Sequence, residues 1–310
     1  MPEPIFESDP IALVRVSDAL DAVAKRLDAA EVHFGHGSDS AWDEAVLLVL
    51  SAAGIPAHAD ETVLTQVLTD ETRARIEVLT QRRIDERKPL AYLLGRAWFA
   101  DLELYCDERA LVPRSPLAEV IRHAYTPWWQ GPAPSRLLDL CCGGGAIGIA
   151  AAVYEPSLSV VLADVSPEAL ELARANVDKH RLGERVQIAY SNLFDNLQGQ
   201  VFDLILCNPP YVNAADLASM PEEFHAEPPL GLGSGHDGLD LARRILAEAA
   251  DHLSPAGLLF LELGNSWAAL DELLADLPLT WIELADGGQG VLVMSRDELR
   301  ALDTRLLASS

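Results

Sequence analysis

The tetrapeptide Asn208-Pro-Pro-Tyr211 follows an apolar run that ends at Cys207. Because proline cannot lie within a central strand, the strand must end here, and Pro209 and Pro210 stiffen the segment that follows. The Asn208 side-chain oxygen and the Pro209 carbonyl could accept both N–H bonds of a planar NH2 group and aim its lone pair at an electrophilic methyl group. Tyr211 could stack on the planar group. These residues predict methyl transfer to an amide or aryl amine without a strong general base.

A glycine-rich loop lies upstream, in the stretch LLDLCCGGGAIGI from Leu137 to Ile149. An apolar strand carries Asp139 and leads into Gly143, Gly144 and Gly145, after which a helix begins. Glycines without side chains let a ligand approach the backbone, and the N–H groups at the helix start point towards that ligand. A tight strand-to-helix turn would use the same glycines, so the loop needs a second feature to indicate a binding site.

Asp164 supplies that second feature, because it ends the next predicted strand. A carboxylate at this position can accept hydrogen bonds from the two vicinal hydroxyls of a ribose, although it could instead cap the following helix. Gly143, Gly145 and Gly148 also match GxGxxG, so the loop alone is compatible with a nicotinamide cofactor or with S-adenosylmethionine. A dehydrogenase, however, has no use for the Asn208 tetrapeptide.

Alternating strand and helix patterns surround these motifs from Arg136 onward. Strands that alternate with helices predict an α/β fold with a parallel, doubly wound sheet. The predicted strands are Arg136–Leu140, Ser159–Ala163, Val186–Tyr190, Phe202–Cys207 and Leu258–Leu263. The predicted helices are Ala146–Val153, 167–177 and Leu239–Leu253. A terminal hairpin is predicted from Trp281–Leu284 and Val291–Met294.

The residues before Arg136 have a different organisation. From Ile11 to about Leu94 the spacing of apolar residues predicts a small helical domain, with Trp42, Val46, Val49 and Leu50 on one inward face and Arg83 as a snorkelling exception on another. Strand-like alternation in 97–112 predicts a hairpin, and Ser115 is expected to cap a helix that starts at Pro116. We therefore predict a helical substrate-recognition domain at 1–96, a hinge and linker at 97–135, and the sheet domain at 136–310.

The net charge of −25 is spread over both halves of the chain. Such a surface repels nucleic-acid backbones and favours a basic protein partner, although solubility alone could explain it. The basic stretch Arg73–Arg96 could touch RNA, but such stretches are more often paired within the protein. His33 and His36 are expected to lie in a surface loop.

Location and redox state follow from simple patterns. The first ten residues carry three acids and no base, which is unlike a signal peptide, and no apolar run is long enough to span a membrane. We therefore expect a cytoplasmic protein. No metal-binding constellation is evident. The cysteines form no CxxC pair and are expected to be free thiols: Cys106, Cys141, Cys142 and Cys207.

Together these motifs resemble the protein N5-glutamine methyltransferases, over almost the whole chain, and within them the branch that modifies large ribosomal subunit protein L-three. The resemblance is carried by the catalytic-loop motif and by three further segments. These segments are 111–119 (LVPRSPLAE), 227–239 (EPPLGL and GHDGL) and 262–266 (ELGNS). In the release-factor branch of the family the first segment is expected to read more like PRPxTE.

The resemblance implies a helical N-terminal domain, a hairpin hinge and a class I (Rossmann-like) methyltransferase domain of seven strands. It implies that Cys141, Cys142, Gly143, Gly144, Gly145, Asp164, Asn192 and Asn208 lie against S-adenosylmethionine, together with Asp139. It also implies that Arg114, Glu119 and Glu227 join Asn208 and Tyr211 in binding the substrate. Cys142 stands where the family commonly has a small polar residue, and Asn192, which could still accept from the adenine amine, stands where it has Asp.

Three alternative functions stay open at this point. The chain could methylate peptide-chain release factors, or the amino group of DNA adenine, although its negative charge and the absence of an evident target-recognition domain disfavour DNA. It could also be a ribosome-assembly factor that has kept the fold without catalysis, against which the intact Asn208 and Asp164 argue.

Overall fold

The computed structural model describes residues 14–56 and 59–302. The expectation about the first ten residues, and the start of the helical pattern at Ile11, lie outside these ranges. The chain forms two compact units. The first contains the described residues up to Ala97 and also Pro221–Ala226, and the second contains Trp98–Met220 and the described residues from Glu227 onward. Within the described ranges, no helix is both long and apolar enough to cross a bilayer.

The first unit is helical, as its sequence pattern predicts. Its helices are α1 (Val16–Ala29), α2 (Ala41–Ala53), α3 (Asp70–Glu86) and α4 (Leu90–Leu94), with a 3-10 turn at Glu61–Thr65. Ser40 and Thr69 cap α2 and α3, because their side-chain oxygens accept from backbone N–H groups in the first turn. Gly54 ends α2 in the left-handed conformation with φ of 69°. Trp42 is 48% exposed, so its predicted inward position is wrong.

A buried ionic cluster joins Pro221–Ala226 to these helices. Arg83 is 1% exposed and pairs with Glu44, so it does not snorkel. It also lies 3.5 Å from Glu223, whose carboxylate accepts from the His33 backbone N–H at 2.9 Å. His36 is buried against Phe224, with ring centroids 4.4 Å apart, and its predicted surface position is wrong. The cluster fixes a segment that is remote in sequence within the helical unit.

The basic stretch on α3 is paired within the protein, as the sequence interpretation favoured. The ion pairs are Arg73–Asp70, Arg75–Glu71, Arg82–Glu86 and Lys88–Glu86, in addition to the contacts of Arg83 and Arg87 with Glu223. Several of these pairs are three or four residues apart, which places both members on one face of the helix.

A two-stranded sheet of β1 (Arg96–Phe99) and β2 (Leu102–Tyr105) forms the expected hairpin. Ala110–Val112 is irregular rather than a strand, because the Val112 N–H donates to the Glu227 side chain instead of to a neighbouring strand. The next helix, α5 (Leu117–Arg122), starts one residue later than predicted, and Ser115 Oγ accepts from the Leu117 N–H at 3.2 Å.

The second unit contains a seven-stranded sheet with the order β5-β4-β3-β6-β7-β9-β8. The strands are β3 (Arg136–Leu140), β4 (Ser159–Asp164), β5 (Val186–Tyr190), β6 (Phe202–Cys207), β7 (Leu253–Glu262), β8 (Thr280–Trp281) and β9 (Val291–Ser295). β3 to β7 are parallel, whereas β9 is antiparallel to both β7 and β8. This is the class I methyltransferase topology. The terminal hairpin is confirmed, but its first strand is Thr280–Trp281 instead of the predicted Trp281–Leu284.

Helices cover both faces of this sheet. One face is covered by α5, α6 (Ala146–Tyr154) and α7 (Pro167–Lys179), and the other by α9 (Asp240–Glu248), α10 (Trp267–Leu273) and α11 (Arg296–Ala301), with a 3-10 turn at Ala249–His252 after α9. The short helix α8 (Ala214–Ser219) follows β6 and has no buried residue. Alternate residues of each strand enter opposite cores: Leu137 and Leu204 pack with α5, α6 and α7, whereas Leu138 and Ile205 pack with α9, α10 and α11.

The register of the parallel strands brings their carboxyl ends to one edge. Leu140 of β3 lies beside Ala163 of β4 and beside Cys207 of β6, and Cys207 lies beside Leu261 of β7. Residues that follow these positions therefore meet at the same edge, where open α/β sheets bind their ligands.

Candidate active site

The glycine loop between β3 and α6 has left-handed backbone conformations. Gly143 and Gly145 have φ of 52° and 83°, which glycine adopts at little cost, and Cys141 is also left-handed at 60°. A Cβ atom on Gly148 would come within 2.3 Å of the Leu162 side chain, so this glycine lets α6 pack closely on β4. No side chain caps α6 at Gly145.

Asp139 lies beneath this loop and is completely buried. Its Oδ2 accepts from the Gly148 N–H at 2.7 Å, whereas its Oδ1 has no hydrogen-bond partner among the described residues. Burial, with a smaller contribution from the Asp164 charge, raises the pKa of Asp139 to about 8. A buried carboxylate with an unused oxygen is a group that a bound cation would stabilise.

Asp164 ends β4 at the same edge. Its Oδ2 accepts from the Gly143 N–H at 2.8 Å and its Oδ1 from the Ser166 N–H at 2.9 Å, so the carboxylate orients the glycine loop. Burial raises the pKa of Asp164. Because a carboxylate offers about four acceptor positions, both oxygens can still accept hydrogen bonds from a ligand.

Asn192 follows β5 and is exposed. Its amide N–H2 group donates to Asp195 at 3.0 Å, and its oxygen accepts from Arg244 at 3.3 Å. The expected contact of this oxygen with an adenine amine stays a prediction.

The three cysteines at this edge are free thiols, as is Cys106. Cys142 is buried, and its N–H donates to the Ala163 carbonyl at 3.0 Å, which fixes the loop to β4. Burial raises the pKa values of Cys142 and Cys207 well above their ordinary range, so both thiols are neutral. They pack as small apolar groups beside Cys141.

Asn208 follows β6 directly and is half-buried. Its side-chain amide makes no hydrogen bond to any residue in the described part of the chain. The catalytic loop then runs through Pro209 and Pro210 to Tyr211, and Val212 forms a backbone bridge with Gly233. The Asn208 amide, the polar group best suited to hold a planar NH2 group, thus lies at the edge of the sheet without a hydrogen-bond partner among the described residues.

Tyr211 is fixed at three points. Its carbonyl accepts from Ser266 Oγ at 2.6 Å, and its phenol donates to Glu262 Oε1 at 3.4 Å. A Cβ on Gly264 would lie 2.5 Å from the Tyr211 ring, so only glycine lets the ring lie where it does. Burial raises the pKa of Tyr211, which keeps the phenol a neutral donor.

Arg114 and Glu227, both predicted to bind substrate, are bound to each other. Their two contacts are 2.6 Å each, and the Glu227 side chain is fully buried. Glu119, the third predicted residue, accepts from the N–H groups of Ala285 and Asp286 at 2.9 and 2.8 Å, and these bonds lower the pKa of its carboxyl. Both carboxylates are thus bound within the protein, and direct contact with a substrate stays a prediction.

Sequence reasoning missed Glu262 and Ser266 as site residues, although both lie in a segment that carried the family resemblance. Glu262 is 3% exposed at the end of β7. An acid that ends an apolar strand beside β6 was a usable signal, since Asp164 was identified in the same way. The role of Ser266 depends on a contact over 55 residues and leaves no local pattern.

The known proteins that this chain resembles are methyltransferases. Residues 129–225 match the family model described as the methyltransferase small domain. The chain is 48% identical over 275 residues to a protein named ribosomal protein uL3 glutamine methyltransferase from Francisella tularensis, covering 88% of this chain and 87% of that one. A Bordetella pertussis protein of the same name is 40% identical over 288 residues, covering 93% and 97%.

Among solved structures, a methyltransferase from Pyrococcus furiosus is 21% identical with a TM-score of 0.45, covering 63% of this chain and 89% of that one.

Proposed function

The chain belongs to the ribosomal protein uL3 glutamine methyltransferases, and on this basis we propose that it transfers a methyl group from S-adenosylmethionine to the side-chain amide nitrogen (N5) of a glutamine in ribosomal protein uL3. The observation that carries the proposal is the half-buried Asn208 amide, without a partner in the described residues, beside the glycine loop and followed by a fixed Tyr211.

The residues present fit S-adenosylmethionine better than a dinucleotide. Asp164 could bind the ribose of either cofactor, whereas Asp139 is completely buried beside the glycine loop and its Oδ1 has no partner among the described residues. A cationic ammonium or sulfonium would favour the ionised form of the Asp139 carboxyl, whereas a pyrophosphate would oppose it. Asp164 would bind the ribose hydroxyls. The loop Gly143–Gly145 would let the cofactor approach the backbone closely, and Cys141, Cys142 and Asn192 would lie around it.

When bound, the cofactor supplies an electrophilic methyl group on its sulfonium. The Asn208 side-chain oxygen and the Pro209 carbonyl accept the two N–H bonds of the glutamine amide, which orients the nitrogen lone pair and stabilises the positive charge that builds on it. Tyr211 stacks on the planar amide. The methylated nitrogen is strongly acidic before it loses its proton, so no strong base is needed.

The substrate is recognised at the same edge. We propose that the wall held by Arg114 and Glu227, together with α5 through Glu119, shapes the entrance for the glutamine-bearing segment. The negative charge of −25 suits a basic ribosomal protein and speeds its encounter. A chain that acts on a ribosomal protein works in the cytoplasm, where it meets the free protein or an assembly intermediate.

Mass spectrometry of ribosomal proteins tests the proposal. In a strain that lacks this chain, uL3 is expected to lose one methyl group from one glutamine, and the purified protein with S-adenosylmethionine is expected to restore it. Complementation with Asn208→Ala is the matched control and should leave uL3 unmethylated. Full methylation of uL3 in the deletion strain would contradict the proposal.

A further inference from the structure

Two hydroxyl groups converge on the buried carboxylate of Glu262. Ser115 Oγ donates to Oε2, and the Tyr211 phenol donates to Oε1 at 3.4 Å. Ser115 comes from the segment before α5, whereas Tyr211 ends the catalytic loop after β6. Glu262 therefore connects two segments that meet at the active edge, over 147 and 51 residues of sequence.

We propose that Glu262 is the positioning residue of the catalytic loop, and that only its ionised carboxylate holds Tyr211 in the orientation that methyl transfer requires. The inference rests on the proposed function, because Tyr211 is taken to stack on the substrate amide. Glu262 acts through Tyr211 and does not itself touch the substrate.

The chemistry of the hydrogen bonds explains why ionisation matters. A carboxylate accepts from both hydroxyls, and bonds to a charged acceptor are about twice as strong as neutral ones. A protonated carboxyl directs its own O–H at one of these hydroxyls, which must then turn its hydrogen away. Ser115 Oγ already accepts from the Leu117 N–H, so its O–H is directed towards Glu262 when the Glu262 carboxyl is ionised.

The rest of Tyr211 is fixed by contacts that do not titrate. Ser266 holds the carbonyl and Gly264 lies against the ring, so the main chain stays in place whatever the state of Glu262. Among the described residues, Glu262 is the hydrogen-bond partner of the phenol oxygen. Protonation of Glu262 thus replaces the charge-assisted hydrogen bonds with weaker neutral ones and loosens the tip of the Tyr211 ring, while the loop backbone remains fixed.

Several groups face Glu262 from the elements around it. Arg114 favours its ionised form, but both terminal nitrogens of Arg114 donate to Glu227, which offsets that charge. The Cys207 thiol on β6 and the Tyr211 phenol are neutral. Burial is the largest influence and raises the pKa of Glu262 to about 7, whereas the bond from Ser115 lowers it. The carboxyl therefore changes its charge near neutral pH.

The test is a pH profile of uL3 methylation by the full-length protein. In the wild type kcat should rise between pH 6 and pH 8 with a midpoint near the Glu262 pKa of about 7. Glu262→Gln should be slower at pH 8 by at least about tenfold, the loss of one hydrogen bond to a charged group, with little change in KM and no inflection. Glu272→Gln, at an exposed position of α10, is the control and should keep the wild-type profile.

Ser115→Ala provides an independent variant. Because the Ser115 hydroxyl stabilises the ionised carboxylate, its loss should move the midpoint to higher pH while activity at high pH is retained in part. Calorimetric binding of S-adenosylmethionine by both variants shows that they are folded. An inflection that persists in Glu262→Gln, or a midpoint that stays unchanged in Ser115→Ala, overturns the inference.

A second measurement needs no methyl acceptor. In protein labelled with ¹³C in the tyrosine rings, the Tyr211 ring resonance, assigned by its loss in Tyr211→Phe, should shift between pH 6 and pH 8 in the wild type and stay constant in Glu262→Gln. A Tyr211 resonance that is unchanged over this range in the wild type would overturn the inference. Failure to methylate uL3 at any pH would instead refute the proposed function, and the resonance would still decide the role of Glu262.

Discussion

The Arg114 guanidinium and the Glu227 carboxylate form a two-pronged ion pair, with both nitrogen–oxygen distances at 2.6 Å. The pair joins segments that are 113 residues apart, and Glu227 also accepts from the Val112 N–H at 3.0 Å. The Glu227 side chain is fully buried and Arg114 is 26% exposed. The segment before α5 and the loop before α9 are thereby held together beside the catalytic loop.

Removal of one member of this ion pair should lower the stability of the protein more than removal of both. Arg114→Met leaves a buried carboxylate without its counter-charge and should lower the free energy of unfolding by about 3 kcal/mol. The double variant Arg114→Met with Glu227→Gln should recover part of this loss, because no buried charge remains. Urea denaturation measures both changes. Glu248→Ala, which removes an exposed pair with Arg244, should cost about 0.5 kcal/mol or less, and an equal cost for Arg114→Met would contradict the prediction.

Cofactor binding should depend on Asp164. Asp164→Ala removes hydrogen bonds to the ribose that are worth roughly 1.5–3 kcal/mol each, so S-adenosylmethionine should bind at least about tenfold more weakly. Calorimetry measures the affinity, and Asp178→Asn on the exposed side of α7 is the control. Wild-type affinity in Asp164→Ala, or tighter binding of NAD than of S-adenosylmethionine, would refute this assignment.

Asn208 should control the chemical step and not the fold. Asn208→Ala should lower kcat by roughly 100-fold or more, by analogy with the loss of one donor in an oxyanion hole. Cofactor affinity and the midpoint of thermal unfolding should stay close to the wild type. Tyr211→Phe should have a smaller effect than Asn208→Ala, because the stacking face survives even though the bond to Glu262 is lost. A near wild-type kcat in Asn208→Ala would mean that the amide is oriented by other groups.

Local patterns were sufficient to predict the sheet domain and the edge where the motifs lie. β3, β5 and β6 have the predicted bounds, and for β3 and β6 the reason is a short apolar run that ends close to glycines or prolines and defines a buried strand without long-range information. The positions of Asp139, Asp164 and Asn208 follow from this, since the carboxyl ends of adjacent parallel strands share one edge.

Pairings over long sequence distances could not be predicted in the same way. Arg83 was expected to snorkel, but its guanidinium meets Glu44 and the remote Glu223 inside the helical unit. His36 is buried by Phe224, which no pattern near either residue indicates. The pairing of Arg114 with Glu227 belongs to the same class. Each contact depends on which distant segment the fold brings next to the residue, and a single sequence carries no signal for that.

The buried Asp139 should make stability depend on pH. Its pKa is about 8 in the folded protein and near 3.8 in an ordinary carboxyl, so the folded state binds the proton more tightly than the unfolded chain. This contribution to stability is complete below about pH 4 and is lost as pH rises towards 8. Asp139→Asn lacks it and should gain stability relative to the wild type between pH 5 and pH 8. Urea denaturation of both proteins without cofactor measures the difference, and a constant difference over this range would contradict the raised pKa.

The last prediction concerns the choice of substrate. Purified uL3 and a purified release factor are each incubated with this protein and labelled S-adenosylmethionine. The label should appear on a single glutamine of uL3, and the release factor should be labelled much less. The acidic surface of net charge −25 attracts a basic partner, so the rate with uL3 should fall as salt rises from about 50 to 500 mM. A release factor without a strongly basic surface should show a weaker salt dependence. Preferential labelling of the release factor would reject uL3 as the substrate but keep the glutamine chemistry, whereas labelling of neither would point to an assembly intermediate as the substrate or to a different target altogether.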